Sequence, residues 1–142
     1  MRRGVSLLEV IAVLAIVGIV MGLTAPRYRS WADTMAVDRA TGEVMSFYWQ
    51  ARTGAIFRGT RVRVEFGADL LQASFEGVTD SVFLTVPGPS RRGVSLRVSR
   101  PIIRIYPNGV GLGAANTKLV LQRGAAAESL TTSRLGRIKR WN

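Results

Sequence analysis

The ionisable side chains of this sequence are scattered acids and clustered cations. The 142 residues include no His and no Cys, so the commonest general base and the commonest metal ligands are missing. The nine acidic residues show no pairing that would support acid–base catalysis. We therefore expect a non-enzyme with no catalytic residue, no metal site and no cofactor. A single-pass membrane enzyme is the alternative, and no constellation of residues supports it.

Positive charge is concentrated in the second half of the chain. The net charge is +11, and residues 81–142 contain eleven of the 20 Lys and Arg residues against one acid, Glu128. Such asymmetry is typical of a protein that binds a polyanion, either nucleic acid or anionic lipid. The alternative is a genomic bias toward Arg, which explains the choice of Arg over Lys but not the scarcity of acids after Asp80.

One acid, Glu9, lies inside an apolar segment. Residues 5–25 (VSLLEVIAVLAIVGIVMGLTA) are long enough to cross a bilayer as a helix, and two arginines before them place the N-terminus in the cytoplasm. A carboxylate in a bilayer is costly unless it has a partner, so we predict a functional role for Glu9. Two alternatives stay open: Glu9 reaches the cytoplasmic interface, or the segment is a cleaved secretory signal.

A periodic apolar pattern follows Pro26, which we expect to kink the helix. Apolar residues recur at intervals of three and four, as in an amphipathic helix that continues to about Phe57. The residues of this apolar stripe are Val37, Ala40, Val44, Phe47, Ala51 and Ala55.

From Thr60 onward, short alternating segments separated by Gly and Pro turns predict about seven strands. The Ala-, Ser- and Thr-rich residues 124–133 are expected to form a loop. The predicted fold class is α+β, a long N-terminal helix packed on a small antiparallel β-sheet head. The predicted strands are residues 60–66, 70–75, 81–86, 94–98, 102–106, 118–122 and 135–140.

The N-terminal residues resemble the class III signal of type IV prepilins. Residues 4–10 (GVSLLEV) combine the end of a short basic leader, a glutamate five residues after its glycine, and the start of an unbroken apolar run. The resemblance implies cleavage by prepilin peptidase between Gly4 and Val5, methylation of the new amine and retention of the helix. It also implies that Glu9 neutralises the N-terminal amine of a neighbouring subunit, and that Pro26 is the family's helix-kinking proline. Val5 stands where Phe is usual.

Three later blocks resemble the GspH/FimT type of minor pilins and pseudopilins. Residues 43–66 are similar to the stretch that leads from the helix through Arg-Gly into the first strand, and residues 103–113 to a hairpin with a Pro-Asn-Gly turn. Residues 135–139 (LGRIK) are similar to the terminal strand. In the FimT branch, which serves natural transformation, the resemblance implies DNA contact through Gly-Arg-x-Arg. In the GspH branch of type II secretion it implies none.

In this sequence Lys139 replaces the second Arg of that motif. Strand alternation places Arg137 and Lys139 on one face and Arg140 on the other. Trp141 then covers the end of the sheet or stacks on a base. The alternative to DNA contact is an edge strand whose charges prevent pairing with other strands. The predicted DNA-binding residues are Arg134, Arg137, Lys139 and Arg140.

These expectations divide the chain into a leader (1–4), a transmembrane and assembly helix (5–25), its amphipathic continuation (26–58) and a β-rich head (59–142). They describe a minor pilin-like subunit at or near the tip of a type IV filament, anchored in the bacterial inner membrane with its head periplasmic or extracellular. The expected partners are prepilin peptidase, other pilins or pseudopilins, the inner membrane and non-specific double-stranded DNA. The alternative is a minor pseudopilin of type II secretion that does not bind DNA.

Overall fold

The computed structural model describes residues 6–77, 81–112 and 115–141, and for residues 23–26 it describes the backbone alone. In this part of the chain, one long helix, α1 (Leu7–Arg58), precedes all the strands. A short 3-10 helix, Pro89–Arg92, lies between the third and fourth strands. The strands are β1 (Val62–Phe66), β2 (Leu70–Phe75), β3 (Val82–Pro87), β4 (Ser95–Val98), β5 (Ile102–Ile105), β6 (Thr117–Arg123), β7 (Ala126–Thr132) and β8 (Ile138–Trp141).

The chain divides into two compact units, Met1–Ala32 and Asp33–Asn142, with the boundary inside α1. In the first unit, the helix residues 7–21 are exposed, and all of them except Glu9 are apolar or Gly. By length and composition, this helix is able to cross a membrane. The kink expected at Pro26 falls on a residue whose side chain lies outside the described structure, and Gly4 and Val5 lie outside it altogether.

In the second unit, the strands form two antiparallel sheets of four strands each. The strand order is β3-β2-β1-β5 in the first sheet and β4-β6-β7-β8 in the second. In the first sheet, Val64 lies opposite Ala73 and Ile103. The Pro-Asn-Gly turn after β5 forms as expected, with Gly109 at φ 77°. The long helix on antiparallel sheets confirms the predicted α+β class.

The hydrophobic core combines the second part of α1 with buried residues of both sheets. All six residues of the predicted helix stripe are buried, and the Phe47 ring packs edge-on against Phe66 at 6.1 Å. Every residue of this core lies between Val37 and Ile138. A fragment that begins at Arg27, hereafter the head fragment, therefore retains the whole core.

The prediction of a loop over residues 124–133 is wrong, because Ala126–Thr132 form β7. This strand pairs with β6 along its full length and with β8 over its second half. Only Leu130 in it is a large apolar residue, so the alternation that marks a strand is weak in the sequence. Its position between two neighbouring strands, rather than its own propensity, makes it a strand. The last strand also begins later than expected, at Ile138, since Leu135 and Gly136 form a turn.

Candidate functional site

The candidate site is the solvent-facing side of the second sheet, which we call the outer face. Successive residues of a strand point to opposite sides. In β6, Thr117, Leu119 and Leu121 are buried, whereas Lys118 is exposed. The same alternation in β8 buries Ile138 and exposes Lys139. The outer face therefore presents the residues that the core does not use.

The cations of the outer face are ordered by strand register. Lys118, Thr131 and Lys139 lie directly opposite one another on β6, β7 and β8. Neighbouring strands are about 4.8 Å apart, so the Cα atoms of the two lysines are separated by about 10 Å. Arg97 on β4 belongs to the next row, which ends at Trp141 on β8. Positive charge thus extends across the whole sheet.

Lys139 and Trp141 support each other at the edge of this face. The Lys139 ammonium lies 3.8 Å from the centroid of the Trp141 ring, a cation–π contact. The indole Nε1–H donates a hydrogen bond of 2.9 Å to Thr131 Oγ1. The indole is therefore fixed to β7, and Lys139 has a defined position on the face. Arg134 and Arg137 are exposed in and just after the turn that precedes β8.

Arg140 points away from the outer face, as alternation predicts. Its guanidinium donates to Asp38 on α1 at 2.5 Å and also to Glu128 on β7. Both hydrogen bonds raise the pKa of Arg140, and the hydrogen bond to Glu128 has the larger effect. Two carboxylates thus balance the charge of Arg140, which ties β8 to the helix. Arg134, Arg137 and Lys139 are all exposed, whereas Arg140 is paired with Asp38 and Glu128.

Three further cations after residue 80 pair with acids that precede it. Arg92 donates to Glu43 at 3.0 Å and lowers the pKa of that carboxyl. Arg123 lies 2.9 Å from Asp33, and Arg104 pairs with Glu76. Part of the charge asymmetry in the sequence therefore reflects ion pairs between segments that are distant along the chain.

The two sheets differ in the charge that they present to solvent. On the first sheet, Arg63 lies 3.7 Å from Glu65, and Arg104 pairs with Glu76. On the outer face of the second, the described residues of the four strands and their extensions include no Asp or Glu, because the one acid of β7, Glu128, faces Arg140. The cations of this face are consequently not neutralised locally, which is what a polyanion-binding surface requires.

Arg52 on α1, which sequence analysis did not single out, bonds to the turn after β5 and lies beside Gly136 in the turn before β8. Its Nε–H donates 3.0 Å to the Gly109 carbonyl, and its guanidinium lies 5.3 Å from the Trp49 ring. A Cβ at Gly136 would lie 2.7 Å from Arg52 Nε and 2.1 Å from Gly109 O. The three blocks that resemble GspH/FimT proteins therefore meet at one point. The sequence carried one signal of this contact, because each of the three blocks contributes one of the residues Arg52, Gly109 and Gly136.

The assembly residue predicted in the first unit, Glu9, is exposed on α1. It lines a shallow groove with the apolar residues Val10, Val13 and Leu14. A lone carboxylate among apolar side chains fits the expectation that Glu9 needs a partner, but its role stays a prediction.

Comparison with known proteins supports the N-terminal and structural arguments separately. Residues 1–25 match the family model of the prokaryotic N-terminal methylation motif. Two crystal structures of the type IV minor pilin FimU from Pseudomonas aeruginosa (strain PAO1) match the chain with TM-scores of 0.64 and 0.61, each at 13% identity. The matches cover 75% and 74% of this chain and 88% and 92% of those chains.

No curated protein matches the chain by sequence. At 13% identity the structural likeness establishes the fold alone. The family-model match identifies residues 1–25 as an N-terminal methylation motif. The chain therefore carries a prokaryotic N-terminal methylation motif over residues 1–25 and shares the fold of the type IV minor pilin FimU, a long helix packed on antiparallel sheets.

Proposed function

We propose that this chain is a minor pilin-like subunit of a type IV filament, with a structural rather than an enzymatic role. Prepilin peptidase cleaves it between Gly4 and Val5, the new amine is methylated, and the helix is retained for assembly. The methylation motif over residues 1–25, which includes the exposed apolar residues 7–21 of α1, supports this proposal. The fold shared with FimU, itself a type IV minor pilin, supports the role of a minor subunit, and we place that subunit at or near the filament tip.

We further propose that the head binds double-stranded DNA through Arg134, Arg137 and Lys139. The observation that carries this proposal is the outer face, which presents exposed cations and, among the residues described there, no carboxylate. Binding is non-specific, because the described cations of the outer face lie on a sheet and not on a helix that could read bases in the major groove. Arg140 is outside the interface because Asp38 and Glu128 occupy its guanidinium.

The second candidate is a minor pseudopilin of type II secretion that does not bind DNA. Lys139 favours it, because Lys stands where the FimT-like motif has its second Arg. An ammonium neutralises a phosphate as a point charge but cannot bind it with two parallel hydrogen bonds. The two candidates differ in one property that is easily measured, the affinity of the head for DNA.

Arg137→Gln/Lys139→Gln is expected to weaken DNA binding more than Arg58→Gln/Arg61→Gln in the head fragment. Both double variants remove two positive charges from exposed side chains, but the second pair lies beside the first sheet. Each lost phosphate contact lowers the slope of log affinity against log salt by about 0.9, so the first pair should lower it by about 2. Fluorescence anisotropy of a labelled duplex over a salt series measures this.

Equal weakening by the two pairs would show that the charge acts diffusely and that the assigned residues are wrong. Absence of binding by the unmodified fragment at low salt would favour the secretion pseudopilin instead.

A further inference from the structure

A shallow depression of about 430 Å³ lies at the end of the second sheet where β4 and β7 end and β6 begins, next to the turn that carries Arg134. It is bordered by β6, by β7 and by the residue after β4, Ser99. Lys118 provides its positive charge, and Asn116, Thr131 and Ser133 provide polar groups around it. Neither the methylation motif nor the family resemblance assigns a role to this depression.

Two hydroxyls in the depression are already used as acceptors. Thr131 Oγ1 accepts the indole N–H of Trp141 at 2.9 Å, and Ser133 Oγ accepts the backbone N–H of Arg137 at 3.3 Å. A hydroxyl carries one hydrogen, which it can donate while it accepts. Both hydroxyls therefore retain a hydrogen for an acceptor outside the protein, and a phosphate oxygen is such an acceptor. The Trp141 contact thus both fixes Lys139 and prepares Thr131 as a donor.

The depression lies in line with the cations of the C-terminal strand. Lys118 and Lys139 flank Thr131 in one register row, and Arg97 lies in the adjacent row on β4. All three cations are exposed. With Cα atoms about 10 Å apart, the two lysines can each reach a different phosphate of one backbone.

We propose that the depression is a phosphate-binding subsite, and that Lys118 and Arg97 extend the DNA path from β8 across the second sheet. This inference rests on the DNA binding proposed above. The phosphate in the depression receives hydrogen bonds from Thr131 and Ser133 and is neutralised by Lys118. Arg97 contacts a further phosphate beyond it.

The chemistry of the outer face favours DNA over a lipid surface as the polyanion. Strong binding to a membrane surface combines attraction to anionic headgroups with apolar side chains that enter the boundary between headgroups and acyl chains. Trp141 lies at the edge of the outer face, and the ring of Trp141 already contacts the Lys139 ammonium. Toward β4 and β6, the exposed side chains are Ser95, Arg97, Asn116 and Lys118. A polar, cationic sheet of this kind contacts phosphates without inserting into a bilayer.

The test compares three double variants of the head fragment by anisotropy of a labelled duplex. Arg97→Gln/Lys118→Gln is expected to lower the salt slope by about 2 and to weaken binding about tenfold at low salt. Arg58→Gln/Arg61→Gln is the matched control, and Arg137→Gln/Lys139→Gln reports on β8. Lys118→Arg keeps the charge and should retain binding. Arg97→Gln/Lys118→Gln should melt at the temperature of the unmodified fragment, because both replaced side chains are exposed.

If Arg97→Gln/Lys118→Gln behaves like the control while Arg137→Gln/Lys139→Gln loses affinity, the subsite is wrong and the proposed DNA function stands. If the unmodified fragment binds vesicles of phosphatidylglycerol and phosphatidylcholine but not the duplex, both proposals are overturned.

Discussion

Replacing Glu9 by valine is expected to abolish incorporation of the chain into filaments while leaving membrane insertion and cleavage after Gly4 intact. In our account, the carboxylate has one function, to neutralise the N-terminal amine of a neighbouring subunit inside an apolar helix bundle. Its loss leaves that amine charged and unpaired in a medium where an unpaired charge is costly. Insertion into the membrane, by contrast, becomes easier when a carboxylate leaves the apolar run.

The measurement is an immunoblot of sheared filaments and of the membrane fraction from cells that lack the native gene. The variant should be present and processed in the membrane and absent from the filaments. Glu9→Gln is the matched variant of equal size, and it should fail in the same way because the defect lies in charge rather than shape. Ser6→Ala, one helical turn earlier, should assemble normally. Normal assembly of Glu9→Val would leave Glu9 as a side chain that merely reaches the interface.

Gly136→Ala is expected to destabilise the head by about 3–5 kcal/mol. Two costs combine at this residue. Its φ of 72° lies in the left-handed region, which disfavours any residue with a Cβ by about 1–2 kcal/mol. The new Cβ would also lie 2.1 Å from the Gly109 carbonyl oxygen, which is backbone held by Arg52. The turn must therefore separate from Arg52, and Arg134 and Arg137 move with it. Urea denaturation of the head fragment measures the stability.

Gly59→Ala separates the two costs. Gly59 also has a left-handed φ, 59°, but a Cβ there meets no atom within 4 Å. This control should lose only about 1–2 kcal/mol, the cost of the backbone conformation. If both substitutions destabilise the head equally, the contact of Gly136 with Gly109 and Arg52 does not restrain the turn. The positions assigned to Arg134 and Arg137 would then lose their support.

The parts of the fold that follow from local periodicity were predicted well from sequence. The apolar stripe from Val37 to Ala55 is buried because helical spacing alone selects that face. Strand β1 buries Val62, Val64 and Phe66 for the same kind of reason. By contrast, β7 was predicted as a loop, because its small and polar residues become a strand only through pairing with β6 and β8.

The site was predicted only in part, because charge neutralisation depends on contacts between distant segments. Sequence grouped Arg140 with Arg137 and Lys139, and it gave the correct side of the strand for each. It gave no indication that Asp38, 102 positions away, pairs with Arg140. Lys118 and Arg97 likewise join the outer face through strand register, which a single sequence does not contain.

The N-terminal peptide of the mature protein shows whether this chain is a prepilin-type filament subunit. Mass spectrometry of the membrane and sheared-filament fractions identifies that peptide. Our account predicts a peptide that begins at Val5, carries a methylated amine and occurs in both fractions. A mature N-terminus near Pro26, with the apolar helix removed, would contradict the account, because the segment would then be a secretory signal.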